Sequence, residues 1–400
     1  MLAKVMQTAQ AIEDVLIAIR RDIHRQPELA LQEDKTANYI ADKLRALGCE
    51  VTENVGKTGV VGLLKGSEAG RTLAIRADMD ALPIEEETDH GFCSAEKGVM
   101  HACGHDAHIA VVLGAAQILS GMRNSFAGNI KLIFQPSEES PIGGADEMIR
   151  EGVLENPTVD AAMALHVNPG LATGQIGYKE GPFFATVAYF TIEILGKGGH
   201  GALPHQSVNP ILVAAECIQA LQTIASAQVD PMEPFVLSIG SIHGGQKSNI
   251  IPEKVSMEGT VRCFGDDLMN RTGEIMENIL RSITAAHGAG YTLKFKSEVK
   301  TLINDKAMIE LIKEAGEEIL GKENALAVSP VLLGDDFASF SQLVPSAYVY
   351  LGVGFPWQPN FALHHPKFDL NERALPLGAA LLSYTALKFL GASDLIVKGV

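Results

Sequence analysis

Hydrophobic and polar positions in the first part of the chain form a repeated pattern of short apolar runs and longer helical segments. The apolar runs are GVVGLLKG, RTLAIRADMD, NIKLIFQPSEE and VDAAMALHV. Each is short and bounded by polar residues, which is typical of a buried strand. Between the second and third runs, IAVVLGAAQILSGM is apolar nearly all round and predicts a buried helix. Strands and helices in this order indicate an α/β domain whose sheet is covered on both faces.

The pattern changes at about residue 185. The next segment predicts a strand, a helix, two strands, a helix and a strand, which is the β-α-β-β-α-β order of a ferredoxin-like α+β domain. After it, helix KAMIELIKEAGEEIL, strand SAYVYLGVG and helix LPLGAALLSYTALKFL return to the α/β pattern. We therefore expect a discontinuous larger domain, residues 1–184 and 298–400, with a smaller domain, residues 185–297, inserted into it.

The composition limits the classes of partner. The chain has 32 Lys and Arg against 48 Asp and Glu, a formal net charge of −16 at pH 7, which argues against nucleic acid or an anionic membrane surface as the main partner. The N-terminal segment predicts one amphipathic helix with charges throughout, and no apolar stretch approaches the roughly 18 residues of a membrane span. Five scattered cysteines do not suggest a disulfide framework. We expect a cytoplasmic protein.

Side chains that can bind metal ions concentrate in one stretch, VMHACGHDAHIA at residues 99–110. Further candidates follow the predicted strands: Asp78, Asp80, Glu138, Glu139, His166, His364 and His365. In open α/β sheets, ligands bind beyond the carboxyl ends of the strands. Four strand ends and the start of the buried helix are therefore expected to meet at one edge of the sheet.

The chemistry of these side chains favours a metal centre. Cys103 and His105, two residues apart, suit an ion of borderline softness such as zinc, manganese, cobalt or nickel. A structural zinc site usually contains a CxxC pair, which this sequence lacks, whereas carboxylates mixed with imidazoles in excess of one ion's needs indicate a two-metal hydrolytic site. The doublet Glu138-Glu139 fits such a site, because neighbours in an extended segment point to opposite sides. One glutamate can then bind metal while the other acts as a base.

Other interpretations of the same residues remain open at this point. Cys103 beside His105 is compatible with a thiol nucleophile, and the cluster is also compatible with a metal-binding protein without catalysis. The aspartates at strand ends can be helix caps. His24 is expected to be a packed structural residue, and His101 and His108 are less favoured as ligands than His105. Histidines without a partner in the sequence are expected to have no function: His90, His243 and His287.

Seven motifs occur in a consistent order along nearly the whole chain: RADMDALPIEEET, GVMHACGHDAH, FQPSEES, GGADEMI, LHV, GKGGHGALPHQSVNPI and LHHPKF. With these motifs the chain resembles the dinuclear metal aminoacylase and amidohydrolase family. That family includes hippurate hydrolase, the auxin-conjugate hydrolases and N-acetyldiaminopimelate deacetylase, and it is related to the carboxypeptidase G type. The resemblance implies hydrolysis of the amide bond of N-acyl amino acids; the alternative activities are those of a dipeptidase or an N-acetyldiaminopimelate deacetylase.

The resemblance also implies a set of site residues. Two divalent metal ions per subunit (zinc, manganese, cobalt or nickel) would be held by Cys103, His105, Glu139, His166 and His364. His364 is preferred to His365 because the family pattern places the ligand two residues before a proline, here Pro366. Glu138 is the implied general base, and Asp78 and Asp80 are expected to orient the ligands.

The implied fold is a metal-dependent exopeptidase-like catalytic domain, a mixed sheet covered by helices, with an inserted ferredoxin-like domain that acts as lid and dimerisation domain. The resemblance implies that His200 reaches the partner subunit's site and stabilises the oxyanion. Asn249 and Arg262 match positions that hold the substrate's carboxylate, a task that suits the two-pronged Arg side chain. A homodimer or tetramer is therefore expected.

Overall fold

The structure, a computed structural model of the 400-residue chain, describes residues 1–140 and 143–391. Its strands are β1 (Glu50–Val55), β2 (Gly59–Lys65), β3 (Thr72–Asp78), β4 (Asn129–Gln135), β5 (Ala161–Ala172), β6 (Ile176–Tyr178), β7 (Gly181–Phe184), β8 (Thr186–Leu195), β9 (Gly199–His200), β10 (Phe235–Gly244), β11 (Ile250–Ile251), β12 (Lys254–Cys263), β13 (Gly290–Val299), β14 (Leu302–Asn304), β15 (Ala325–Ala327) and β16 (Ser346–Gly354). Its α-helices are α1 (Leu2–Ala11), α2 (Glu13–His24), α3 (Asp34–Ala46), α4 (His105–Ser120), α5 (Gly144–Arg150), α6 (Pro210–Ala227), α7 (Asp266–His287), α8 (Lys306–Leu320), α9 (Ala338–Ser341) and α10 (Ala374–Gly391).

The chain divides into two compact units. Among the described residues, unit 1 comprises those within Met1–Phe183, Ile303–Ser329 and Ser339–Val400, and unit 2 comprises Phe184–Leu302 and Pro330–Ala338. The segment Pro330–Ala338 is tied to unit 2 by backbone hydrogen bonds, among them one from Ala185 N to the Leu333 carbonyl. Each unit has its own cluster of buried apolar side chains.

Unit 1 contains an eight-stranded mixed sheet in the order β1-β2-β4-β3-β5-β16-β6-β15. The central strands β4, β3, β5 and β16 run parallel to one another, whereas β1, β2 and β6 add antiparallel pairings. Every residue of β3 and β16 is buried, as expected for strands covered on both faces. Helix α4 is almost entirely buried and packs against α2, α10 and β3. The predicted α/β class with a mixed sheet covered by helices is confirmed.

Unit 2 contains a four-stranded antiparallel sheet in the order β10-β12-β8-β13, with helices α6 and α7 packed on it. The chain order of these elements is β-α-β-β-α-β, the ferredoxin-like arrangement. Helix α6 begins at Pro210, whose fixed backbone angle suits a first helical position. The side chain of Asn209 caps this helix by accepting a hydrogen bond from Ile211 N.

Two local expectations were wrong. The N-terminal segment is two helices, separated at Ile12 (φ −102°, ψ 6°), rather than one. Buried residues such as Val5, Ile12 and Leu16 keep helical spacing across the break, so the apolar pattern is the same for one helix or two. Strand β5 does not end at His166 but continues to Ala172, because beyond Ala164 it stays paired with β16 after its pairing with β3 has stopped.

The expectation about membrane spans also needs correction. By length and hydropathy alone, α6 and α10 are each long and apolar enough to cross a membrane. Within the protein, 78% of α10 and 33% of α6 are buried. Helix α10 packs against α4 and α8 in unit 1, and α6 packs against α7 and the sheet of unit 2. The apolar composition of α10 is thus accounted for by packing within unit 1, whereas α6 leaves apolar side chains such as Leu212 exposed.

Candidate metal centre

The HACGH motif forms the tight entry to helix α4. Gly104 has φ +86°, a left-handed conformation that side chains disfavour, and a Cβ atom there would lie 2.4 Å from Val167 Cγ2. The turn puts buried Cys103 just before the helix and buried His105 at its first position. Glycine is therefore required between these two candidate ligands by both backbone angle and space.

Cys103 lies at the centre of the first group of candidate ligands. Its Sγ atom is 3.4 Å from His166 Nε2 and 3.3 Å from His364 Nε2. His364 Nε2 is in turn 3.1 Å from Glu139 Oε1. Metal–ligand bonds of about 2.0–2.3 Å at tetrahedral angles place neighbouring ligand atoms roughly 3.3–3.8 Å apart. The observed separations of 3.1–3.4 Å are close to those around a shared metal ion.

His105 lies close to the two glutamates that follow β4. One ligand atom each from His105, Glu138 and Glu139 lies within 4.8 Å of the others. The two glutamates thus point to a common region instead of to opposite sides, because residues 138–140 form a bend and Ser137 before them has φ +57°. The prediction that the two glutamates point to opposite sides of an extended segment was therefore wrong.

Hydrogen bonds decide which ring nitrogen of each candidate histidine ligand could bind a metal ion. His105 Nδ1 donates to the Asp80 carbonyl and His166 Nδ1 donates to the Val167 carbonyl, each over 2.8 Å. With Nδ1 as the donor, Nε2 of each ring is the nitrogen that a metal ion could bind, as is usual for metal-binding histidines. His108 differs, since its Nδ1 donates to Asp78 Oδ1 (2.6 Å) and its Nε2 accepts from Val167 N (3.0 Å). His108 therefore has no free nitrogen for a metal.

Asp80 holds the glutamate doublet in place. Its Oδ1 accepts a hydrogen bond from Glu138 N (3.1 Å) and its Oδ2 accepts one from Glu139 N (2.9 Å). Buried Glu33 supports the preceding residue by accepting from Ser137 N (2.9 Å) and from Thr58 Oγ1 (2.6 Å). Sequence reasoning singled out Asp80 but missed Glu33, which belongs to a distant segment without a motif of its own.

Asp78 lies beside His105 in a fully buried charge network. Its Oδ2 accepts a hydrogen bond from Arg76 Nη1 (2.6 Å) and lies 3.7 Å from His105 Nε2. Burial opposes ionisation, but the charges of His105, His108 and Arg76 hold the pKa of Asp78 well below its usual range. Asp78 is therefore a buried anion next to the candidate ligands, and no role as a helix cap is needed to explain it.

The residues present fit a bound cation. His105 Nε2 is buried and makes no hydrogen bond to any residue that the structure describes. Burial lowers the pKa of His105, but the negative charges of Asp78, Asp80 and Glu139 outweigh it and raise that pKa to about 10. Burial and the charges of Glu139 and Glu138 raise the pKa of the Cys103 thiol well above its usual value. The centre thus has an excess of negative charge, which divalent cations would balance.

The same observations argue against a thiol nucleophile. Reactive cysteines have a lowered pKa and partial exposure, whereas Cys103 is 6% exposed and its thiol pKa is raised. His166, which lies beside it, has its pKa lowered to about 3 by burial and by the neighbouring His108, so it supplies no positive charge to stabilise a thiolate. A metal ion would provide that stabilisation.

The remaining predicted site residues lie in unit 2. His200 and Ile250 are paired in the short β9–β11 ladder, and Gly201 N donates to the Asn249 carbonyl (2.9 Å), so His200 and Asn249 are neighbours. Both are exposed. Arg262 lies in β12 and donates through Nη1 to the Leu332 carbonyl (2.9 Å).

Comparisons with known proteins agree with this centre. The chain is 40% identical to Thermostable carboxypeptidase 1 of Saccharolobus solfataricus over 97% of this chain and 99% of the relative. It is 42% identical to an N-acyl-L-amino acid amidohydrolase of Geobacillus stearothermophilus, over 75% of this chain and 81% of that protein. Among solved structures, a dinuclear metal-binding peptidase of Bacillus subtilis is 34% identical, covers 96% of this chain and 99% of its own, and superposes with a TM-score of 0.83.

Fold, cluster and relatives together define a class of protein, the hydrolases of amide bonds that work at a metal centre. The model of Peptidase family M20/M25/M40 matches residues 74–388, and the chain belongs to this family.

Proposed function

We propose that this chain hydrolyses the amide bond of N-acyl amino acids, a class that includes hippurate-like, N-acetyl and auxin-type conjugates. The observation that carries the proposal is the set of separations of 3.1–3.4 Å that link Cys103, His166, His364 and Glu139 in one cluster of unit 1. The amidohydrolase relative at 42% identity supports the substrate class.

Two divalent ions would be held by Cys103, His105, Glu139, His166 and His364. When bound, such ions lower the pKa of a water molecule towards neutrality and polarise the acyl carbonyl. Glu138 acts as the general base: its carboxylate takes one proton from the attacking water and returns it to the leaving amine. One water molecule is therefore added across the broken C–N bond, and Glu138 ends in its starting state.

Asp78 and Asp80 keep the ligands oriented, Asp80 through both backbone N–H groups of the doublet. In unit 2, His200 stabilises the oxyanion of a partner subunit's site, and Asn249 and Arg262 bind the substrate's carboxylate. These roles rest on the family resemblance and on the exposure of His200 and Asn249.

The decisive experiment compares neighbouring glutamates. Glu138→Gln should keep the metal content of wild type while kcat falls by about 10²–10⁴-fold, the contribution of general base catalysis. Glu139→Gln is the matched control, and it should lose metal. The assay is a panel of N-acetyl, N-benzoyl and indoleacetyl amino acids with zinc, manganese, cobalt or nickel. Chelation should abolish activity and a divalent ion should restore it; full activity in metal-free protein would refute the mechanism.

A homodimer, or a tetramer built from it, is part of the proposal. Strands β10 and β13 are the outer strands of the unit 2 sheet, and unpaired sheet edges favour pairing with another chain. Mixing inactive His200→Ala chains with inactive Glu138→Ala chains should restore activity, because one site of each mixed dimer then carries neither defect. No recovery despite demonstrated subunit exchange would show that His200 does not act in the partner's site.

A cytoplasmic location is proposed as well, since each of the five cysteines is a free thiol.

Carboxypeptidase or dipeptidase activity is the second candidate, favoured by the 40% identity to a carboxypeptidase over almost the whole chain. The panel distinguishes the two activities when it includes unblocked dipeptides and longer peptides. Release of C-terminal amino acids from these peptides at higher kcat/KM than from N-acyl amino acids would favour the second candidate.

A further inference from the structure

A second group of candidate metal ligands lies at the end of helix α2, apart from the centre described above. Its members are His24, the last residue of α2, and two residues of the segment after β3, Glu86 and His90. Their side chains are 1%, 5% and 17% exposed. His90 Nε2 is a buried atom that makes no hydrogen bond to any residue within the described ranges. None of the three residues is a candidate ligand of the dinuclear centre.

The separations within this group are those of a metal site. Glu86 Oε1 lies 3.3 Å from His24 Nε2 and 3.6 Å from His90 Nε2, and all three ligand atoms lie within 4.8 Å of one another. Zinc–ligand bonds of about 2.0–2.2 Å at tetrahedral angles put neighbouring ligand atoms roughly 3.3–3.6 Å apart. We propose that His24, Glu86 and His90 form a binding site for a Zn²⁺ ion, separate from the dinuclear centre.

Each ligand is held in orientation by a second contact. His24 Nδ1 donates to Asp106 Oδ2 (2.8 Å), the carboxylate–histidine pairing that accompanies most zinc-binding histidines. Glu86 Oε2 accepts from Ser94 N (2.6 Å), which directs Oε1 towards the two histidines. The ring of His90 is stacked on Phe92 at 3.9 Å between centroids and 8° between planes. Glu86 Oε1 also accepts a hydrogen bond from Thr88 Oγ1. The three side chains are thus held close to the proposed position of the ion.

Two histidines and one carboxylate leave a fourth tetrahedral position for water or an external ligand. His90 and Phe92 line a cavity of about 320 Å³ together with Arg20 and Glu372, which gives the site a route for ion entry. The neighbouring charges form ion pairs of their own: Asp106, Asp369 and Glu372 pair with Arg20, and Glu372 also pairs with Arg21. The negative charge offered to the ion is therefore that of Glu86. The ion would link α2 to the segment that follows β3.

The experiment measures the number of zinc ions bound per chain. Wild type, His90→Ala and Glu86→Gln are stripped with a chelator, dialysed against Zn²⁺ and analysed for bound zinc by mass spectrometry, with circular dichroism as a check on folding. Both variants should bind one ion fewer per chain than wild type. His287→Ala is the matched control, since His287 also pairs with a glutamate (Glu216, 2.7 Å) but on the surface of unit 2; its zinc content should equal that of wild type.

A Cys103→Ser background separates this site from the dinuclear centre. His90→Ala should remove one further ion from Cys103→Ser protein, because the two sites share no ligand. Equal zinc content in wild type, His90→Ala and Glu86→Gln would overturn the proposal and leave these residues as an ion pair only. The difference between wild type and variant tests this site, whereas the total in wild type tests the dinuclear centre.

Discussion

Replacing Asp80 with asparagine removes one charge from beneath the glutamate doublet while keeping the size of the side chain. Asp80 is 1% exposed, and its two carboxylate oxygens accept one backbone N–H each, from Glu138 and Glu139. An asparagine has a single carbonyl oxygen, so it can keep one of these hydrogen bonds and must turn its NH₂ group towards the other N–H.

The structure gives the size of the expected effect. Losing one buried hydrogen bond to a charged acceptor costs about 1.5–3 kcal/mol, and the group left without a partner keeps the loss near the upper end of that range. Because the N–H groups concerned belong to Glu138 and Glu139, the metal affinity should fall as well, by about the 10–100-fold that is typical when a group supporting the ligands is removed.

Urea unfolding of metal-free protein and competition with a coloured chelator measure the two effects separately. Asp160→Asn is the matched control, because Asp160 also accepts a backbone N–H (from Thr72, 2.7 Å) but is exposed and lies just before β5. Asp80→Asn protein with wild-type stability and wild-type zinc affinity would refute the idea that Asp80 holds the doublet.

Two further predictions concern the same unit. Gly104→Ala should destabilise the protein by at least about 2 kcal/mol, since overpacking adds to backbone strain. The control is Gly174→Ala, at φ +95° with no atom within 4 Å of the added Cβ, which should cost only the strain. Equal unfolding free energies for the two variants would contradict the clash with Val167. Burial lowers the pKa of His101 to about 3, so below pH 6.5 the unfolded chain binds a proton that the folded one does not take up until about pH 3. The stability of metal-free protein should therefore fall on acidification from pH 6.5 to about pH 3, with His101 contributing up to about 1.4 kcal/mol per pH unit. In unfolding titrations, His101→Leu should remove this contribution, whereas His205→Leu, at an exposed position, should not.

Much of the fold could be predicted from apolar patterns, because strands such as β3 and helices such as α4 are buried along their whole length. The ferredoxin-like order of unit 2 could be predicted from the succession of strand and helix patterns, although β10 has one buried residue and β13 none. The position of β16 between β5 and β6 could not, since its apolar residues carry no information about which strands it pairs with. The break at Ile12 was hidden because both helices bury the same face.

The candidate site, like the fold, could be predicted only in part. Cys103, His105 and the glutamate doublet were found because chemically distinctive residues are adjacent in the sequence. The groups that orient them were harder to find, since Glu33 contacts Ser137 across 104 positions and Arg20 contacts Asp106 across 86. Neither contact could be predicted from the sequence, because the two residues of each pair lie far apart in the chain and meet only through tertiary packing. The proposed zinc ligand His90 has one partner close in the sequence, Glu86, and one 66 positions earlier, His24, which no sequence pattern connects to it.

The placement of β16 has a consequence for synthesis on the ribosome. Strands β5 and β6 end at Ala172 and Tyr178, but the strand between them, β16, is completed only at Gly354. At a synthesis rate of about 5–20 residues per second, the edges of β5 and β6 that pair with β16 stay unpaired for roughly 10–35 s. Unit 2 is translated almost entirely within that interval and has its own core, so it can fold first. A nascent chain stalled before residue 346 should therefore carry a folded ferredoxin-like unit and a unit 1 sheet that lacks β16. The unpaired edges of β5 and β6 would then be sites where a chaperone could bind and prevent aggregation.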